Sequence, residues 1–133
     1  LSHLPMRDLL TIAPLVSRTW QASTLSPELQ RSLFFELDAS ATEPINNPLL
    51  EELFPSFFEG RGSDETPRWE AMPWATASAA FQRADTSWRR MLVTQPPTQT
   101  LVVTQKSEGQ GTSERQGVLE DLSGLRMGVL YDL

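Results

Sequence analysis

His3 is the single histidine of this chain, and there is no cysteine. Nucleophilic catalysis needs a base within hydrogen-bond reach of a hydroxyl or thiol. A Cys–His pair is therefore excluded. A Ser–His–Asp arrangement would have to use His3, which reads as a solvent-facing residue at the edge of an apolar pattern, LSHLP. Two carboxylate pairs exist, Glu51–Glu52 and Glu120–Asp121. Adjacent helix positions point in different directions, so neither pair makes an acid/base dyad, and both read as solvated faces. Without cysteine there is no disulfide and no thiolate zinc site. No P-loop, dinucleotide fingerprint or calcium loop occurs. The expectation is a non-enzyme with no catalytic residue, no metal and no cofactor.

Four tryptophans remain as candidates for binding. Trp20 and Trp88 lie in patterned helical segments and are expected in the core, because irregularly spaced aromatics in a helical protein are more often anchors than a ligand cage. Trp69 and Trp74 fall in loop-like sequence and are the candidates for contact with a partner or small ligand.

The charge balance, 11 basic against 17 acidic residues, gives a formal −6 and repels phosphate backbones on average. Arg89–Arg90 is the sole adjacent basic pair. Nucleic acid is not an expected partner. No apolar run approaches the ~20 residues that span a bilayer, so no membrane contact is expected either. Absence of cysteine and of glycosylation sequons fits a cytoplasmic or nuclear location. The chain opens without an initiator Met, inside an apolar pattern, and reads as a fragment.

The elements follow from periodicity and punctuation. Leu9, Ile12, Val16 and Trp20 fall at helical spacing and are expected to share one face of a helical hairpin. Pro14 divides it into helices over Met6–Ala13 and Leu15–Ala22. Ser26, Pro27 and Glu28 supply a cap, a first-position proline and a first-turn acid for a third helix that ends near Phe35. Asp38 to Asn46 reads as a connection. Asn47–Pro48 opens a helix through Leu53, stopped by Pro55, and Phe54, Phe57 and Phe58 are expected to pack against the N-terminal unit. Gly60 to Pro67 reads as a loop. A weak helix is expected over Thr76–Arg83, and another carries Trp88, Met91 and Leu92 before Pro96–Pro97 ends it. Thr100 to Gln105 is the one clear strand, and Lys106 to Gly117 is expected to be mobile. The tail, 119–133, fits either a helix or a strand, with helix preferred.

Within residues 1–37 the order LPMRDLL, a short gap, VSRTW, then SPELQ resembles an F-box, the motif that docks a protein onto a Skp-type adaptor. Beyond residue 40, NPLLEELFPSFF, SWRRMLVTQPP and GLRMGVLYDL look like the extension of many fungal F-box-domain proteins. The F-box carries a further helix ahead of its LP turn; here only Leu1 to His3 stand there, so the motif reads as truncated at its N-terminus. The resemblance implies adaptor contact through Leu4, Pro5, Leu9, Leu10, Val16 and Trp20. It also implies a substrate recruiter in a Skp–cullin–F-box ubiquitin ligase, with a cullin reached through the adaptor and an unidentified protein as substrate. No repeat is present to form a degron-binding surface. The rival reading is a non-catalytic interaction domain in which the hairpin is only structural core; it requires Leu9, Leu10 and Trp20 to be fully buried.

The expected fold class is mainly α, α+β at most. A partial F-box-like motif spans 1–37, and a helical, irregular extension spans 38–133 with a short strand near 100–105.

Overall fold

The structure, a computed structural model, describes residues 3–58, 73–107 and 113–133. The expectations for Trp69 and for the loop at 60–67 lie outside these residues.

The N-terminal quarter is four short helices set corner to corner. Pro5 precedes α1 (Met6–Thr11), Ile12 breaks the chain, and α2 (Ala13–Val16) carries Pro14 in its first turn. The second expected helix does not run on. Ser17 adopts an extended conformation and its hydroxyl accepts from the Trp20 amide, which starts α3 (Arg18–Thr24) afresh. Ser26 caps α4 (Pro27–Ser32) through the Leu29 amide. That helix stops earlier than Phe35, because Phe34 turns the chain with a left-handed φ of 62°. Leu9, Ala13, Leu29 and Leu33 form the small core of this layer.

The second layer begins where β1 (Ile45–Asn46) pairs antiparallel with β2 (Thr94–Gln95). Asn47 then caps α5 (Pro48–Leu53), its Oδ1 accepting from the Leu49 and Leu50 amides at 3.1 and 3.3 Å. A 3₁₀ turn follows at Pro55–Phe57. The expected Thr76–Arg83 helix is two single turns, α6 (Pro73–Thr76) and α7 (Ser78–Phe81). The expected helix around Trp88 is a 3₁₀ turn at Ser87–Arg90, after which the chain extends. Met91, Leu92 and Val93 are buried in succession, as an extended segment covered on both sides allows. Their backbone meets the tail, with the Met127 amide donating to the Met91 carbonyl and the Val93 amide to that of Leu125.

β3 (Thr100–Ser107) and β4 (Ser113–Glu120) form an antiparallel ribbon, with Leu101 opposite Leu119 and Lys106 opposite Glu114. The tail, 119–133, is part strand and part helix: its first two residues end β4, and the chain closes with α8 (Met127–Tyr131).

Among the described residues, two antiparallel sheets interleaved with helices make the fold α+β, correcting the mainly α expectation. The reason is local. The ribbon's second strand, SERQGVLE, lies in part within the polar stretch expected to be mobile. Val102, Val103 and Val118 are exposed, so no apolar alternation marks a buried face, and pairing rests on backbone hydrogen bonds and cross-strand partners.

The larger core is aromatic. Phe54 is fully buried, and its ring centroid lies 4.9 Å from Trp88, 5.6 Å from Phe81 and 6.0 Å from Tyr131. Phe54 thus packs mainly on the C-terminal elements, not on the N-terminal unit as its proximity in sequence suggested. Met6, Leu10 and Phe35 touch both cores and join the layers.

Candidate functional site: an exposed apolar face on the N-terminal helices

The breaks at Ile12 and Ser17 decide which side chains face inward. Leu9 is 3% exposed and Ala13 is buried, whereas Ile12 (55%), Leu15 (84%) and Val16 (54%) project into solvent. An unbroken helix places Leu9, Ile12, Val16 and Trp20 on one face. The breaks put Leu9 on α1, Val16 on α2 and Trp20 on α3, with Ile12 at the first break, which is why the expected common face does not form.

Trp20 is not a core residue. Its side chain is 38% exposed, as is that of Leu4, and the two line a concavity of about 460 Å³ together with His3, Thr19 and Ser23. The Ser17 cap fixes the start of α3 and therefore the direction in which Trp20 leaves it. Pro5 is exposed at the entrance to α1, and Leu10 is half-buried between the two cores. Of the residues singled out from sequence, Leu4, Pro5, Val16 and Trp20 are accessible to a partner, Leu10 partly so, and Leu9 acts from inside by holding α1 on α4. Sequence reasoning missed Ile12 and Leu15 as surface residues. The signal was there in the position of Leu15 directly after Pro14, on the far side of the helix break.

Trp88 is buried, as expected. Trp74 is half-buried with its ring edge-on to Tyr131 at 6.4 Å, so it belongs to the aromatic core's margin. Arg89 closes that margin. Its guanidinium lies 5.0 Å from the Trp88 ring and 5.1 Å from that of Tyr131, and its Nη1 donates to the Asp132 carboxylate at 2.8 Å.

The electrostatics are those of a surface. Ser40 donates to Asp38, Ser123 donates to Asp121, and Arg83 pairs with Asp85; each donor holds its carboxylate below the ordinary range. Carboxylates stabilised in this way are poor proton donors near neutrality. The recess of about 580 Å³ beside Arg31 is lined by Glu28, Arg31, Asp38, Ala39 and Ser40, with Glu28 and Arg31 exposed to solvent. Among the described residues, no three side chains of metal-ligating type come together, and no helix is long and apolar enough to cross a membrane.

Neither family profiles, curated proteins nor solved structures give a match to this chain.

Proposed function

We propose that this protein is a substrate-recruiting F-box adaptor that docks a Skp-type protein through its N-terminal helices and, through it, joins a cullin ubiquitin ligase. One observation carries the reading: Leu4, Ile12, Leu15, Val16 and Trp20, five large apolar side chains, lie exposed within the first 20 residues, beside a small core built from their neighbours Leu9 and Ala13. Exposed apolar side chains concentrated on short helices are what a partner helix or groove covers. The resemblance of LPMRDLL, VSRTW and SPELQ to an F-box supports a Skp-type protein as that partner. Ubiquitin chemistry belongs, on this reading, to other subunits, and residues 38–133 hold the docking helices and meet the substrate.

The rival, in which the hairpin is only core, draws on the burial of Leu9. It also requires Trp20 to be buried, and Trp20 is not.

The test is co-purification with a fungal Skp-type adaptor, comparing the wild-type chain with Leu15→Asp/Val16→Asp. Both positions are exposed, so the variant retains its fold and its circular-dichroism spectrum while adaptor capture is lost. Equal capture by both folded proteins overturns the assignment of this face.

A further inference from the structure

The two layers are tied by side chains that donate to main-chain carbonyls at the end of the docking helices. A helix leaves its last carbonyls without intrahelical donors. In α4 the end is also distorted by the left-handed Phe34. Gln95, buried on β2, places its single amide nitrogen between a carbonyl of the last turn of α4 and one just beyond it, donating to Arg31 at 3.0 Å and to Glu36 at 2.9 Å. The Phe34 carbonyl accepts from the Leu92 amide at 2.7 Å. Arg126 donates through Nη1 to the Phe35 carbonyl at 3.4 Å and to that of Arg90. Three consecutive carbonyl-bearing residues at the end of the N-terminal layer are thus held by residues 58 or more positions later in sequence (Leu92 and Phe34 differ by 58).

We infer that Gln95 is a positioning residue: it sets the docking helices on the extension, so that adaptor binding depends on a side chain that never touches the adaptor. This inference rests on the docking role proposed above. A primary carboxamide suits the position because both of its N–H bonds sit on one nitrogen. Glutamate of the same length offers only acceptors to two carbonyls. Methionine fills the space and donates nothing. When Gln95 lets go, α4 and the helices packed on it populate orientations that the adaptor does not bind, and the apparent affinity falls with the fraction that remains competent.

The experiment is amide hydrogen exchange on the full chain, with adaptor affinity measured in parallel, for wild type, Gln95→Met and Gln99→Met. Gln99 makes an equivalent exposed bond, to the Leu122 carbonyl, away from the seam. Gln95→Met is expected to lower the protection of the Leu33, Phe35 and Glu36 amides about tenfold, the scale of a lost buried hydrogen bond. Protection in α5 and at Met91 stays at the wild-type level, and adaptor affinity drops severalfold. Gln99→Met changes neither. Unchanged α4 protection overturns the inference, as does a uniform loss across both layers or an affinity that stays constant while α4 opens. If Gln95→Met does not fold, wild type decides: the Leu33, Phe35 and Leu92 amides must exchange as one unit, and separate opening rates overturn the coupling. A wild-type chain that binds no adaptor removes the docking role instead, and the exchange data still judge the seam.

Discussion

Asn47 shows how much of this fold turns on one polar side chain. It is fully buried, its Oδ1 caps α5, and its Nδ2 donates to the Leu92 carbonyl at 3.2 Å. Its own amide donates to the Val93 carbonyl at 2.9 Å. The residue that starts the helix therefore also fastens it to the buried segment 91–93. Asn47→Ala removes the cap and leaves a buried carbonyl without that donor, which costs about 2–3 kcal/mol. The expected result is a fall in melting temperature of roughly 10 °C for a chain of this size. A loss confined to a cap on an exposed helix would be smaller, and the difference is readable by thermal denaturation. The cap itself was legible in the sequence, since Asn before Pro is a helix start. Its second bond was not, because nothing in NNPLLEEL points to residue 92.

The elements divide along the same line. Starts and stops that depend on one or two neighbours were legible: Ser26–Pro27 and Asn47–Pro48 open helices, and TLVVTQ is a strand. Misreadings came where a distant partner overrides local pattern. Trp88, Met91 and Leu92 have helical spacing, yet the chain extends after Arg90 because the Met91 carbonyl and Val93 amide are engaged by the 125–127 segment. SERQGVLE has no helical or strand pattern of its own, and becomes β4 by pairing with β3. Two glycines in this region give a paired prediction. Gly124 has φ 95°, and a Cβ there meets Pro97 Cβ at 2.5 Å and Leu92 Cδ2 at 3.0 Å, whereas a Cβ on Gly117 meets nothing within 4 Å. Gly124→Ala is expected to destabilise by about 2–4 kcal/mol, combining backbone strain with overpacking. Gly117→Ala, in an open strand position, is expected to be neutral or to stabilise by up to about 1 kcal/mol. Urea denaturation of the two variants checks both; equal effects would contradict the tight turn at Gly124.

At the scale of the whole molecule, the apolar residues outside the core are unevenly placed. Phe54, Trp88 and Met127 belong to one continuous aromatic and aliphatic core, while the N-terminal layer's own cluster is small, built on Leu9, Ala13, Leu29 and Leu33. That layer leaves Ile12, Leu15, Val16 and Trp20 in solvent. The exposed Arg7–Glu52 pair, 3.3 Å apart, adds little to the joint between layers, because water screens it. The joint is held by Met6, Leu10 and Phe35 and by the carbonyl bonds around Gln95. The motif order that suggested adaptor docking was legible in sequence; the division of its residues into an inner set and an outer set was not, since it depends on the breaks at Ile12 and Ser17. On the proposed function the outer set docks the adaptor, and titrating the purified chain into a purified fungal Skp-type adaptor by calorimetry decides it. Saturable one-to-one binding by wild type, abolished in a folded Leu15→Asp/Val16→Asp protein, is the predicted result. Absence of binding by a folded wild-type chain, or unchanged affinity in the variant, contradicts it.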